Sequence, residues 1–202
     1  MLEVVSLLGP SGSGKSTLAE ALVPRLADRG ITADVIKKDE ALKAIGRERY
    51  GDDDQSAGYS IAGFLRHGQI PSHELHGWMN QQVKASLAAG HLAILEGGTR
   101  TRTAQAETLE GLELDHDGLR IFMLDLPFRD VIGRIRQRRK ESGRYDDFLP
   151  VASAKLLGQY RGMQSADAVQ PIDPDVTVLD ARLSVDVLAT RAANHILVLR
   201  PE

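Results

Sequence analysis

Residues 9–17, Gly-Pro-Ser-Gly-Ser-Gly-Lys-Ser-Thr, match the pattern G-x-x-x-x-G-K-[ST] in full. An apolar run precedes them at residues 2–8, and the helix-forming stretch Leu-Ala-Glu-Ala-Leu follows them at residues 18–22. A strand, a glycine-rich loop and a helix in this order form the context that the motif requires. Glycine lets the backbone turn successive N–H groups inward onto phosphate oxygens, and the helix adds the positive end of its dipole. The sequence therefore predicts a nucleoside triphosphate site.

Two side chains of this loop suit particular parts of a bound Mg-ATP. Lys15 has the length to reach the β- and γ-phosphates, and the Ser16 hydroxyl is placed to join the coordination shell of Mg²⁺. We therefore expect ATP and Mg²⁺ as cofactors. The residues assigned to ATP by the motif are Gly9, Ser11, Gly12, Ser13, Gly14, Lys15, Ser16 and Thr17.

Composition narrows the class of protein. The 202 residues fit one α/β domain, and a net charge of −3 argues against general nucleic-acid binding. No cysteine is present, which excludes disulfides, thiolate metal sites and a cysteine nucleophile. The first apolar run contains Glu3, unlike a signal peptide, and no run approaches the roughly 18 apolar residues of a membrane helix. We expect a cytoplasmic monomer that acts on a small molecule and binds neither nucleic acid nor membranes.

Apolar runs alternate with helical patterns along the chain, which is typical of a parallel sheet covered on both faces. Strands are predicted at residues 2–8, 33–36, 91–95, 119–124 and 176–179. After the first helix, further helices are predicted at residues 40–48, 56–67, 71–89, 129–140, 148–160 and 184–194. The expected fold is a P-loop NTPase fold with a five-stranded parallel sheet, whose ligands bind at the carboxyl ends of the strands.

Three further stretches resemble the adenylate kinase family of nucleoside monophosphate kinases. Residues 68–75, Gly-Gln-Ile-Pro-Ser-His-Glu-Leu, are similar to the turn into a helix beside the monophosphate site of that family. Residues 95–101, Leu-Glu-Gly-Gly-Thr-Arg-Thr, resemble its Asp-Gly-Phe-Pro-Arg-Thr segment, and the arginine-rich residues 134–147 resemble the flanks of its lid. The resemblance implies a core at 1–37, 91–138 and 148–202, a small acceptor-binding insert at about 38–70 and a short lid at about 138–147.

The resemblance also implies roles on the side of ATP. It places Arg134 at the base or ribose, and it places Arg138 and Arg144 at the phosphate in transfer. Glu96 corresponds to an aspartate of the family that holds Mg²⁺ through water. With Lys15 and Arg100, these two lid arginines form the predicted catalytic set, because a bidentate cation suits the charge that gathers when two phosphates meet.

The acceptor site is expected around the ends of the second and third strands. Arg100 follows a buried strand at the edge where ligands bind, and it is interpreted as a clamp on the acceptor phosphate with Lys43 as its partner. Lys38 stands where the family commonly has threonine, and Lys155 is a further candidate for the cation cluster. Gln105 is a candidate for a hydrogen bond to the acceptor base.

Two alternatives remain open at this stage. A P-loop kinase that phosphorylates a sugar or other small-molecule hydroxyl would use Asp39 as its catalytic base, since a hydroxyl must lose a proton whereas a monophosphate is already ionised at neutral pH. The plainer interpretation of Asp39 is an N-cap of the helix predicted at 40–48. The second alternative is a nucleotide-binding regulatory module, which needs the loop but no acceptor site.

Overall fold

A computed structural model describes residues 2–50, 70–97, 101–141, 157–158, 160–162, 167–171, 173 and 175–199. Its strands are β1 (Val4–Leu8), β2 (Ala33–Lys37), β3 (Leu92–Glu96), β4 (Leu119–Asp125) and β5 (Val176–Asp180). Its helices are α1 (Lys15–Ala27), α2 (Lys38–Tyr50), α3 (Ser72–Ala88), α4 (Arg102–Leu112), α5 (Phe128–Glu141) and α6 (Val185–Leu199). A short 3-10 turn, His116–Gly118, precedes β4.

The strands form one parallel sheet in the order β2-β3-β1-β4-β5. Strand β1 lies at its centre, and all five of its residues are buried. In the register of the sheet Leu7 lies beside Glu96 of β3, and Leu8 lies beside Met123 of β4. The chain that leaves β1 therefore emerges between the ends of β3 and β4. The predicted five-stranded parallel sheet is confirmed.

Two cores cover the two faces of the sheet, because successive side chains of a strand point to opposite sides. On one face Val5 and Leu7 pack with buried residues of α1 and α6. On the other face Val4 and Leu8 pack with buried residues of α2, α3 and α4. The apolar side chains of the strands therefore supply the sheet side of both cores, and the helices supply the other side.

The elements agree with the sequence prediction except at one helix. The sequence pattern does not predict a helix at 102–112, whereas the structure has α4 there. The cap residue Thr101 precedes it, and its side chain accepts a hydrogen bond from the Ala104 N–H. Helix α6 also continues to Leu199, five residues beyond the prediction. The helix predicted at 56–67 lies outside the described residues, and only residues 157, 158 and 160 of the helix predicted at 148–160 are described, all of them helical. Within the described part of the chain, no helix has the length and apolar character needed to cross a membrane.

His195 gives the fold a pH-dependent element on the face covered by α6. Its ring packs edge-on against Phe122 at a centroid distance of 5.7 Å, and its Nε2 lies 3.1 Å from the Thr177 hydroxyl. Phe122 and Thr177 are partners in the register of β4 and β5, so the histidine covers the junction of these two strands. Burial, and secondarily the charge of Arg120, lower the pKa of His195.

We expect the protein to lose stability as the pH falls below 6.5, the ordinary pKa of histidine. The unfolded chain then takes up a proton at His195 that the folded chain does not yet bind, so protonation favours unfolding. A His195→Gln variant should show a smaller decrease of Tm between pH 7.5 and 5 than the wild type. His73→Gln, at an exposed histidine of α3, is the matched control and should follow the wild-type profile. Identical pH profiles for the His195 variant and the wild type would contradict this assignment.

Candidate functional site

The glycine-rich loop joins the end of β1 to α1 at the centre of the carboxyl edge of the sheet. Gly12 has φ of +83°, and a Cβ at this position would lie 3.0 Å from the Ile135 Cγ1 of α5. Both the backbone conformation and the close approach of α5 therefore require glycine. Gly14 caps α1 and Lys15 is the first residue of the helix, so the N–H groups of its first turn face the loop. Ser11 and Thr17 lie exposed on either side of this turn.

Lys15 lies within the loop that precedes it. Its ammonium group donates hydrogen bonds to the Gly9 carbonyl at 3.0 Å and to the Pro10 carbonyl at 2.9 Å. Ser13, at the turn into Gly14, is 1% exposed, and its hydroxyl has no hydrogen-bond partner among the described residues. A buried hydroxyl that lacks a partner, an ammonium group and a helix N-terminus together fit the oxygens of a phosphate chain.

Ser16 and Glu96 are brought together although 80 residues separate them. Glu96 ends β3 directly beside β1, and the Ser16 hydroxyl donates to its Oε1 at 2.5 Å. A hydroxyl and a carboxylate are oxygen ligands of the kind that Mg²⁺ takes together with waters and substrate phosphates. No cluster of three or more candidate metal-binding side chains occurs among the described residues. The residue types of this pair fit a magnesium ion that arrives with a nucleotide, and the assignment of Ser16 and Glu96 to the metal stays a prediction.

Arg134 connects the loop to the end of β5. Its Nη1 donates to the Ser13 carbonyl at 3.1 Å, and its Nη2 donates to the Ala181 carbonyl at 2.6 Å. Both hydrogen bonds are donated by N–H groups that lie in the plane of the guanidinium. They do not use the two flat faces of the guanidinium, which are the surfaces that stack on aromatic rings. The predicted contact of Arg134 with the base or ribose of ATP stays a prediction. The sequence does not single out Ala181, which lies two residues beyond the strand predicted at 176–179, at the edge of the sheet where ligands bind.

The residue after Ala181 forms a tight ion pair at the same edge. Arg182 donates to Asp180 from its Nε at 2.8 Å and from its Nη2 at 2.7 Å. These hydrogen bonds, together with one from the Arg182 N–H, lower the pKa of Asp180 to about 2. The carboxylate therefore stays ionised throughout the neutral range and keeps Arg182 beside the end of β5.

Lys38 lies near the Ser16–Glu96 pair, at the carboxyl end of β2. It is the first residue of α2, immediately after β2. Gly97, which follows Glu96, has φ of +84°, and a Cβ there would lie 3.5 Å from the Lys38 Cβ and 3.8 Å from its Cδ. The aliphatic stem of Lys38 therefore runs along the turn that follows Glu96, and it places a cation of α2 next to β3.

Asp39 and Lys43 are exposed and lie one helical turn apart on α2. The helix begins at Lys38 and not at residue 40, so Asp39 lies inside the first turn. The interpretation of Asp39 as an N-cap is therefore wrong. A carboxylate in the first turn is still favoured by the helix dipole.

Gln105 is not brought to the phosphate loop. Its side-chain amide donates to Asp175, the residue before β5, at the amino-terminal edge of the sheet. Its contact with an acceptor base stays a prediction. Arg138 belongs to α5 one turn beyond Arg134, and its side chain is not described. Three other predicted site residues lie outside the described residues: Arg100, Arg144 and Lys155.

Comparisons with known proteins agree on one type of domain. The sequence pattern of a protein family described as "AAA domain" matches residues 4–162. No curated protein sequence matches the chain. The solved structures that are similar to it include an unliganded sugar kinase from Janibacter sp. HTCC2649, with a TM-score of 0.62, 20% identity and full coverage of both chains.

Two further solved structures are similar over almost their whole length. A gluconokinase from Sinorhizobium meliloti 1021 has a TM-score of 0.57 and 16% identity, covering 98% of this chain and 97% of its own. The APS kinase of Mycobacterium tuberculosis, solved with AMPPNP and APS, has a TM-score of 0.55 and 20% identity, covering 98% of this chain and 96% of its own. The chain therefore has a P-loop kinase-like fold.

We expect Lys15→Ala to remove at least nine tenths of the ATP-dependent turnover and to leave the fold intact, because the turns of the loop depend on glycine conformations. ADP release and a thermal melt measure the two effects. Lys37→Ala is the matched control, since Lys37 ends β2 nearby but pairs with Glu20 of α1 at 3.4 Å. A Lys15→Ala enzyme with more than a tenth of the wild-type kcat would contradict the role of the lysine.

We expect Glu96→Gln to raise the Mg²⁺ concentration for half-maximal turnover about tenfold or more, because the amide loses the charge that holds the ion. Asp125→Asn is the matched control, since Asp125 is exposed and ends β4 on the other side of β1. If the Mg²⁺ concentration for half-maximal turnover rose in the Asp125 variant and not in the Glu96 variant, the result would contradict the Glu96 assignment and place the metal at the end of β4.

Proposed function

We infer the function from one premise, which is that the chain belongs to the family described as AAA domain. We propose that it is an ATP-dependent phosphotransferase that acts as a nucleoside monophosphate kinase in nucleotide metabolism. It transfers the γ-phosphate of Mg-ATP to the phosphate of a nucleoside monophosphate. The contact between Ser16 and Glu96 beside Lys15 carries the proposal, because it supports a site for a metal-bound triphosphate between two neighbouring strands.

The proposed ATP site lies at the carboxyl ends of the central strands. The triphosphate lies against the loop N–H groups and the ammonium of Lys15, and the base lies on the side of Arg134 and Ala181. Ser16 and Glu96 would hold Mg²⁺ at the end of β3, on the side of the sheet that leads to α2. The ion would offset the negative charge of the triphosphate there.

Two lysines of α2 support an anionic acceptor, although Asp39 and Glu40 place carboxylates in the first turn of the same helix. Lys38 extends along Gly97, one residue beyond the carboxylate that meets Ser16, and Lys43 is exposed on the same helix. Arg100 follows three residues after Gly97 in the sequence. A monophosphate with a second pKa near 6 is largely ionised at neutral pH, so it needs cations to offset the repulsion between the phosphates and no base.

The lid arginines complete the proposed catalytic set. Arg138 lies four residues after Arg134 on α5 and so shares its side of the helix, while Arg144 follows the helix in the sequence. We assign both to the phosphate in transfer. Their cations offset the charge that develops when the acceptor oxygen approaches the γ-phosphate.

A second candidate function is the phosphorylation of a small-molecule hydroxyl. Asp39 favours it, because this carboxylate is exposed in the first turn of α2 at the edge of the sheet where the donor site lies. A hydroxyl acceptor would give its proton to such a base. The similar structures include a sugar kinase and a gluconokinase.

Two variants separate these chemistries once a panel of nucleoside monophosphates, sugars and small alcohols has identified the best acceptor. In a monophosphate kinase, Arg100→Ala should lower kcat/KM by about 10²-fold or more, roughly 3 kcal/mol, because a charge-assisted contact with the acceptor phosphate is lost. Asp39→Asn should retain most activity, because an ionised phosphate needs no base.

The controls are Arg136→Ala, at an exposed arginine of α5, and Glu40→Gln, the neighbour of Asp39 in the same turn. Both should resemble the wild type. The ranking inverts in a hydroxyl kinase, since general-base catalysis contributes about 10²–10⁴-fold. An Asp39→Asn enzyme that loses its activity, with Arg100→Ala at wild-type rates, would therefore reject the monophosphate kinase.

A further inference from the structure

Helix α5 contacts three successive residues of the phosphate loop. A Cβ at Gly12 would lie 3.0 Å from the Ile135 Cγ1, and a Cβ at Gly14 would lie 3.6 Å from the Arg134 Nη1. Between these two glycines, the Ser13 carbonyl accepts a hydrogen bond from the same Nη1 at 3.1 Å. The part of the loop that leads into α1 is therefore both packed against α5 and hydrogen-bonded to it.

The hydrogen bond to Ser13 fixes the orientation of one peptide group of the loop. A trans peptide holds its C=O and its N–H on opposite sides, so the bond that directs the Ser13 carbonyl towards Arg134 directs the Gly14 N–H away from it. Gly14 has φ of +100°, and a glycine lets the neighbouring peptide group turn at little steric cost. Arg134 therefore restrains a peptide group that the glycine would otherwise leave free to turn.

The other end of this bridge lies in a well-anchored part of the sheet edge. The Arg134 Nη2 donates to the Ala181 carbonyl at 2.6 Å. Ala181 is 1% exposed, and its N–H donates to the Asp125 carbonyl at the end of β4, at 2.9 Å. The Asp180 carboxylate accepts hydrogen bonds from both the backbone N–H and the guanidinium of Arg182, which closes the turn. The carbonyl that receives Arg134 is thus held in place by β4 and by its own turn.

We propose that Arg134 is a positioning residue for the phosphate loop, which it ties to the end of β5 through the carbonyls of Ser13 and Ala181. Because one rigid guanidinium makes both hydrogen bonds, the loop cannot move relative to β5 without losing one of them. The Gly14 N–H is then oriented before a triphosphate binds, which lowers the entropic cost of binding. The proposal rests on the ATP site of the proposed function and does not depend on the acceptor.

Inorganic tripolyphosphate tests this role, because it carries the phosphates of ATP but neither base nor ribose. Isothermal titration calorimetry measures the Kd of its magnesium complex and of Mg-ATP for the wild type and for Arg134→Met. We expect the Kd for tripolyphosphate to rise about tenfold and the Kd for ATP to rise at least as much. A higher Kd for ATP alone would overturn the proposal, because Arg134 would then act only on the base or ribose.

The loss of the bridge must be distinguished from the loss of a positive charge. Arg136→Met removes an exposed arginine of the same helix and should leave both Kd values within about twofold of the wild type. Arg134→Lys keeps the charge but lacks the planar fork that reaches both carbonyls, so its Kd for tripolyphosphate should stay several-fold above that of the wild type. A wild-type Kd in Arg134→Lys would overturn the proposal, since charge alone would then explain the effect.

Hydrogen exchange measures the same role without a ligand. The N–H groups of Ser13 and Leu18 donate to the Pro10 and Gly14 carbonyls at 3.1 Å and 2.9 Å. Both amides should exchange several-fold faster in Arg134→Met than in the wild type or in Arg136→Met, because the loop opens more often. Amides of the distant helix α3 should keep their wild-type rates.

Exchange at wild-type rates in the loop of Arg134→Met would overturn the proposal, and so would an equal acceleration in α3, which would indicate a general loss of stability. If the wild type binds neither ATP nor tripolyphosphate, the proposed function fails by itself. The positioning role is then judged from the exchange rates of Ser13 and Leu18 alone.

Discussion

The contact between the Ser16 hydroxyl and the Glu96 carboxylate is the interaction on which the proposed site depends. It joins the helix after the phosphate loop to the end of the neighbouring strand, and it exists because β1 and β3 are adjacent and parallel. In a sheet of this order the chains that leave β1 and β3 emerge side by side, so a group bound to the loop meets the turn after β3. Gly97 in that turn contacts Lys38, which in turn begins α2. In the proposed function, this hydrogen bond lies at the border between the proposed donor site and the proposed acceptor site.

Helix α5, on the β5 side of the sheet, supports the phosphate loop. Arg134 reaches the carbonyl of the loop and the carbonyl that follows β5, while Ile135 beside it packs against Gly12. A loop whose N–H groups must face phosphate oxygens gains from this support, because a preorganised site loses less conformational entropy when it binds. The same helix continues towards the predicted lid. The first half of this helix is therefore tied to the phosphate loop.

Much of the fold could be predicted from the sequence, because each strand shows as an apolar run and the loop motif identifies the first strand–helix unit. Helix α4 was missed because its stability comes from distant groups: Asp167 binds its first turn from 64 residues away. For the same reason the partner of Arg102 could not be predicted, since Asp173 lies 71 residues further along the chain in an irregular segment. The pairing of Ser16 with Glu96 could be anticipated because both residues belong to motifs with a known place in such a sheet. The hydrogen bond from the Gln105 amide to Asp175 could not be predicted, because 70 residues separate the two side chains.

The acceptor half determines which chemistry the fold performs, because a shared fold does not fix the substrate. Asp39 and Lys38 are neighbours at the start of α2, so the elements that would serve a hydroxyl and those that would serve a phosphate lie at the same edge of the sheet. A base acts on one proton, and its effect depends on an acceptor oxygen within hydrogen-bond reach. A cation attracts the net charge of an acceptor over a longer distance and needs less exact geometry than a base does. Lys38 beside Gly97 therefore favours an anionic acceptor.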